Sequence, residues 1–291
     1  MKLFKLKSRK QPVTMAPDAC FSNGVKVTEL LAECLPGTLS EAIVLNHHGL
    51  MSLRVAVNGR AYKVAECASD SRAALAEQAL RLVAEHGGPV PPFVARKGPV
   101  IIVHWIEGQL CNELPQQQQR ELLLQSQCAL YAVPVPPALG IKPDYIHIET
   151  LTERLRHEAA GVLSSARIEG IVENLWQRLP DPEKVHVIHP DLTPVNLVLT
   201  REGPVIIDNE VIGLGVGREF DVWHSAEALY GYRDPAALNR YSRDYHERSP
   251  GSSLFSHQPL WDDWRLLRRA LKSVEKRRLI KARLLFKRLG H

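Results

Sequence analysis

Two short apolar-rich segments, residues 50–57 and 60–65, are separated only by Asn58 and Gly59. Both intervening residues tolerate the positive φ of a two-residue turn, so the pattern predicts a β-hairpin. A helix is predicted over residues 71–85, followed by the turn Gly87-Gly88-Pro89-Val90-Pro91-Pro92 and a strand at 100–104. A further helix at 115–132 opens on a proline suited to a first turn and closes before Pro134 and Pro136. Helices follow at 149–163 and 168–179, then short strands at 185–188, 197–199 and 204–207. Helices at 219–230 and 235–248 come next, and the run Ser249-Pro250-Gly251-Ser252-Ser253 breaks the chain before a helical, basic remainder. No internal repeat is evident. The order predicts an α+β protein in four parts: a basic arm at 1–20, a small antiparallel-sheet lobe at 21–104, a larger mainly helical lobe at 105–254, and basic helices at 255–291.

The polar residues between these elements change the picture most. His189-Pro190-Asp191-Leu192-Thr193-Pro194-Val195-Asn196 lies between two predicted strands, and the strand at 204–207 delivers Asp208 at its end. Taken alone, Asp-x4-Asn is also the spacing of a capped turn whose side chains bond backbone amides. A hydroxyl attacking the γ-phosphate of ATP, however, needs a carboxylate to orient it, and Mg²⁺ needs carboxylate and carboxamide oxygens. Asp191 can supply the first; Asn196 and Asp208 can supply the second. Upstream, Lys63 lies in the second hairpin strand and Glu77 in the following helix, the order in which a strand lysine and a helix glutamate hold ATP phosphates.

In these residues the chain resembles the aminoglycoside phosphotransferase and choline kinase family, which has the protein-kinase-like fold. The resemblance spans about residues 40–230 and rests on Lys63, Glu77, the hinge Trp105-Ile106-Glu107-Gly108, the Asp191/Asn196 loop and Ile207-Asp208-Asn209-Glu210. It implies a two-lobed protein-kinase-like fold, ATP and Mg²⁺ as cofactors, and Asp191 as catalytic base. It further implies Asn196 and Asp208 as metal ligands, and nucleotide contacts from Lys63, positioned by Glu77, and from Glu107 in the hinge. Asp221 corresponds to a later aspartate with a structural role, and His189 is expected to brace the catalytic loop by hydrogen bonding. Pro190 stands where the family usually has glycine, Asn209 where it often has an aromatic residue, and the expected phosphate-covering loop at 45–49 has a single glycine. Glu210, in place of a protein kinase's glycine, and the absence of an Ala-Pro-Glu segment disfavour a protein kinase. The full polar set disfavours an ATP-binding scaffold without activity.

Composition narrows the setting. With 291 residues and 45% hydrophobic positions, the chain can bury a sizeable core. Its five cysteines form no C-x-x-C pair, which predicts reduced thiols. His47-His48 lacks the further ligands a zinc site needs. The basic N-terminus has no apolar signal core, and the apolar stretch at 99–106 is too short to span a membrane, so a cytoplasmic protein is expected.

The net charge of +5 divides unevenly: residues 1–10 carry +5 and residues 265–291 carry +10, leaving −10 on the body. Arg265, Arg268, Arg269, Lys272 and Lys276 recur at helical spacing opposite Leu267, Ala270, Leu271 and Val274. This face is read either as solvated or as a surface for anionic lipid or an anionic substrate, allowing peripheral contact at the inner membrane. No nucleic-acid partner is expected, because no binding module or stacking array is present. The acceptor is expected to be a small molecule or glycan. The basic ends favour an anionic or lipid-linked sugar such as those of the lipopolysaccharide core, and the acidic body leaves an aminoglycoside or choline-type amine open.

Overall fold

The computed structural model describes residues 13–45, 50–141, 145–180, 184–231, 234–249 and 257–289. The N-terminal part is built on β1 (Val13–Thr14), α1 (Val27–Cys34), β2 (Leu39–Val44), β3 (Ser52–Val57), β4 (Arg60–Glu66), α2 (Asp70–Glu85), β5 (Phe93–Lys97) and β6 (Val100–His104). Its six strands form one antiparallel sheet in the order β1-β2-β3-β4-β6-β5. The β3–β4 hairpin forms as expected, Val57 pairing with Arg60 across Asn58 and Gly59 at φ of 50° and 75°.

Both faces of this sheet are covered. Val64 and Ile102 point into a cluster with Val27, Leu30 and Leu31 of α1. Their neighbours Ala65, Ile101 and Val103 point the other way, into the main core with Ala73, Ala76, Leu80 and Val83 of α2. Double coverage explains why β6 is an unbroken apolar run from Val100 to Val103. Ser69 caps α2 by accepting from the amide of Arg72.

After β6 come β7 (Gln109–Leu110), α3 (Gln116–Ala132), α4 (Ile146–Glu158), α5 (Ser165–Gln177), β8 (His186–Ile188), β9 (Leu197–Leu199), β10 (Pro204–Ile206), β11 (Gly213–Gly215), α6 (Arg218–Tyr230), α7 (Pro235–Arg248), α8 (Gln258–Glu275) and α9 (Leu279–Phe286). Small antiparallel sheets, β10-β9-β7 and β11-β8, frame the loops between the strands. Helix α4 begins and ends earlier than the predicted 149–163. Ile146 and Ile148 extend the buried stripe of Leu151 and Leu155 backwards, and the helix gives way to a turn after Ala159.

The basic helix α8 buries its apolar side as expected, with Leu267, Ala270 and Leu271 enclosed. Part of its basic side does not face solvent. Arg265 bonds Glu227 at 2.5 Å and lies over the Trp223 ring, while Arg268 lies 4.6 Å over Trp264. All five cysteines are unpaired. Among the described residues no helix is long and apolar enough to cross a membrane. The expected phosphate-covering loop falls largely on residues 46–49, which also hold His47-His48, and most of the N-terminal arm falls on residues 1–12; both lie outside the described residues.

Candidate active site

The catalytic loop is held from beneath by one face of α6. Asp221, His224 and Ser225, spaced i, i+3 and i+4, point at it together. The carboxylate of Asp221 accepts the backbone amide of His189 at 2.9 Å, the Tyr131 hydroxyl at 2.8 Å and His147 Nε2 at 2.5 Å. Burial would push its pKa up, but the charge and hydrogen bond of His147, with the other two donors, hold it below the usual carboxylate range. Ser225 Oγ lies 2.5 Å from the carbonyl of Leu192. His189 therefore braces the loop through its backbone. Its ring is fully buried and neither ring nitrogen has a partner among the described residues, so the hydrogen bond that braces the loop is made by the main chain. Burial depresses the pKa of that ring.

Asp191 lies on the loop so anchored, and each of its carboxylate oxygens has one donor: His224 Nε2 at 2.9 Å on Oδ1 and Asn196 Nδ2 at 2.9 Å on Oδ2. Arg268 donates to His224 Nδ1 at 2.7 Å. An arginine has donors only, so this contact makes Nδ1 the acceptor and leaves the proton on Nε2, aimed at Asp191. Burial would raise the Asp191 pKa; the hydrogen bond and charge of His224, followed by His189 and Asn196, hold it below its ordinary value.

Asn196 also donates to the Asp191 carbonyl at 2.9 Å, so both contacts use its Nδ2 and neither uses its side-chain oxygen. The amide of Ile207 bonds the Asn196 carbonyl at 2.9 Å, tying Asp208 to the same unit. Asp208 adopts a left-handed φ of 61°, uncommon for a residue with a side chain, and its carboxylate accepts from Lys63. Lys63 is 7% exposed and also bonds Glu210 at 2.9 Å. Burial would lower the pKa of its ammonium, but Glu210 and Asp208 outweigh that and raise it.

The expected Lys63–Glu77 pair is not formed. Glu77 accepts from Arg96 on β5 at 2.9 Å and from Arg81, one turn along α2, at 3.0 Å. Two guanidiniums thus occupy the Glu77 carboxylate, while the buried ammonium of Lys63 is taken by two nearer carboxylates. Burial would raise the Glu77 pKa; Arg96 and Arg81 hold it down. Glu210 and His224 are the polar residues the sequence did not place in the site. The i, i+3 spacing from Asp221 to His224 is the signal that could have found the second.

Between the two parts lies a cleft of about 250 Å³, with Lys63 and Asp208 at one end and Val103, Trp105 to Gly108 and Val198 along its wall. Glu107 lines this cleft, but its side chain is 79% exposed and lies 3.8 Å from Arg54. Gly108 has to be glycine for a steric reason: a Cβ there would sit 2.4 Å from the carbonyl oxygen of Leu199. A larger open groove of about 1150 Å³ runs behind the hinge, and none of the expected catalytic or metal residues line it.

The oxygens of Asn196 and Asp208 fit a magnesium ion, a hard cation bound by one or two protein oxygens, substrate phosphates and water. Among the described residues no group of three or more His, Cys, Asp or Glu could hold a metal.

The model of the phosphotransferase enzyme family known as APH matches residues 43–272. The chain belongs to this phosphotransferase family. It is a kinase that transfers phosphate to a hydroxyl group. No curated protein sequence matches the phosphotransferase. Among solved structures it is similar to an aminoglycoside-3'-phosphotransferase of type VIII, with 21% identity, a TM-score of 0.57, and coverage of 81% of this chain and 97% of that one. A thermostable mutant of the aminoglycoside phosphotransferase APH(4)-Ia, complexed with ADP and hygromycin B, is 18% identical with a TM-score of 0.58, covering 90% and 96% of the two chains. The spectinomycin phosphotransferase APH(9)-Ia, complexed with ADP and spectinomycin, is 15% identical with a TM-score of 0.57, covering 90% and 95%. At these identities the likeness establishes the shared two-lobed, protein-kinase-like fold.

Proposed function

We propose that this phosphotransferase moves the γ-phosphate of Mg-ATP to a hydroxyl of a small molecule or glycan, with Asp191 as base. The observation that carries the proposal is that Lys63 and Asp208 line one cleft and bond each other, while the Ile207 amide bonded to Asn196 and the Asn196 side chain bonded to Asp191 tie the catalytic loop to them. The hinge at Trp105 to Gly108 would hold the base of ATP, with Glu107 contributing at the mouth, and Lys63 would hold its phosphates. The ammonium, already charged and desolvated, moves from two carboxylates to phosphate oxygens at little cost in reorganisation. Asn196 and Asp208 would hold Mg²⁺, which offsets phosphate charge when bound. The acceptor oxygen attacks the γ-phosphorus, the bond to the bridging oxygen breaks, ADP leaves, and the hydroxyl proton passes to Asp191. A carboxylate held ionised by His224 and Asn196 is suited to orienting the hydroxyl while its proton is lost late.

The basic ends support a sugar acceptor that is anionic or lipid-linked, including lipopolysaccharide-core sugars, and a cytoplasmic enzyme in peripheral contact with an anionic membrane surface. Solved neighbours bound to hygromycin B and spectinomycin favour a second reading, an antibiotic acceptor. Labelled ATP with Mg²⁺, offered with sugars, choline-like amines, aminoglycosides and lipopolysaccharide fragments, tests both readings. Label on one class names the acceptor. Label on none, with Asp191→Ala turning over ATP as fast as the wild type, refutes the proposal.

A further inference from the structure

A second cavity, of about 230 Å³, adjoins the catalytic loop at Pro190. Arg72 from the first turn of α2, Arg154 from α4 and Arg268 from α8 converge on it, and no carboxylate lines it. The guanidinium of Arg72 has no hydrogen-bond or ion-pair partner among the described residues. Arg154 is held by Glu158, bonded at 2.7 and 3.1 Å, which fixes its fork and leaves further N–H groups unused. Arg268 contacts both ring nitrogens of His224, at 2.7 and 3.4 Å, and lies 3.9 Å from the Glu227 carboxylate. His147 also lines the cavity. It is 6% exposed, and its Nδ1 is shut off from water without a partner.

Three guanidiniums drawn from three helices into one half-buried cavity repel one another, and an arginine cannot relieve this by losing its proton. The planar forks match the oxygens of phosphate or carboxylate, and the charge-assisted bonds they form are the stronger kind. The cavity is also tied to the chemistry at two points. Pro190 in its wall immediately precedes Asp191, and Arg268 bonds the histidine that bonds Asp191.

We propose that this cavity is an anion subsite of the acceptor site, so that the acceptor carries a phosphate or carboxylate group seated against Arg72, Arg154 and Arg268. The assignment of the acceptor rests on the kinase reading above; the anion site itself does not. An acceptor so anchored spends binding energy away from the reacting hydroxyl to position it beside Asp191. A polycationic acceptor would meet repulsion at the same place.

Inorganic phosphate is the probe. It is titrated calorimetrically into the full chain with AMP-PNP and Mg²⁺ saturating the cleft, so that Lys63 does not compete for it. One phosphate site is expected, weakened at least ten-fold in both Arg72→Gln and Arg154→Gln and largely restored in Arg72→Lys, with thermal melts confirming that the variants fold. No phosphate binding, or binding that both glutamine variants leave within two-fold of the wild type, overturns the proposal. If AMP-PNP itself does not bind, the kinase reading fails, and phosphate titration of a Lys63→Met chain still reads the cavity directly. Labelled ATP offered with hexose phosphates in solution, and with a phosphorylated glycolipid in phosphatidylcholine vesicles, then separates the two sources of the anion. Label on either, with acceptor KM raised at least ten-fold in Arg72→Gln, supports the subsite; label confined to neutral or cationic acceptors contradicts it.

Discussion

Replacing His224 with alanine removes the donor on Asp191 Oδ1 and leaves the Asn196 donor on Oδ2 untouched. A hydrogen bond to a charged group contributes about 1.5–3 kcal/mol. The Asp191 side chain is 56% exposed, so water recovers part of that in the variant. About 1–1.5 kcal/mol of positioning is then lost, corresponding to roughly a ten-fold fall in kcat. KM for ATP should hardly move, because His224 does not line the nucleotide cleft. His224→Gln, whose side-chain amide can still donate to Asp191, should recover most of the loss. The assay is steady-state ADP release in the three proteins, with kcat and the KM for ATP fitted separately. A kcat for His224→Ala within two-fold of the wild type, or a glutamine variant no better than alanine, would refute the positioning role.

Lys63→Met should lower turnover at least 100-fold, about 2.7 kcal/mol of barrier, whereas Glu77→Gln should cost less than about three-fold, because its carboxylate is committed to Arg96 and Arg81. Equal losses in steady-state kinetics would show that Lys63 and Glu77 work as a pair after all. Asp221→Ala strips the partner from His147, Tyr131 and the His189 amide at once and should destabilise the fold by about 3–5 kcal/mol in urea titrations; a loss under about 1 kcal/mol would mean that the network is not structural. Burial, with Arg218 and Lys184, lowers the His186 pKa to about 4. The unfolded chain therefore takes up that proton first, and stability falls as pH drops from about 6.5 toward 4. Since the ring is only partly enclosed, about 1–2 kcal/mol is expected after allowing for solvent screening. His186→Asn should remove that share of the difference between pH 7 and pH 5; an unchanged pH dependence in urea titrations would contradict the linkage.

Much of the fold was legible because local chemistry and tertiary packing agree. Asn58-Gly59 specifies its turn whatever surrounds it, and Pro115 and Pro134 bound α3 for steric reasons. The Asp191, Asn196 and Asp208 set was legible because its spacing along the chain is short, and one loop and one strand bring the three together. The partner of Lys63 was not legible. Glu77 and Glu210 are both plausible by order, and only the tertiary positions of Arg81 and Arg96 decide between them. The basic stripe of α8 misled in the same way. Helical spacing places Arg265 and Arg268 on one face, but only the packing against α6 shows that they turn inward to Glu227 and His224. The Arg72, Arg154 and Arg268 cavity joins residues almost 200 positions apart, and nothing in the chain order foreshadows it.

The most direct test of Asp191 as base is ADP release from Mg-ATP by the wild type, Asp191→Ala and Asp208→Ala, with nucleotide affinity of each measured by calorimetry. Turnover is expected in the wild type, ATP binding without turnover in Asp191→Ala, and loss of both turnover and magnesium-dependent ATP affinity in Asp208→Ala. Turnover in Asp191→Ala equal to the wild type would contradict the role of Asp191 and with it the proposed mechanism.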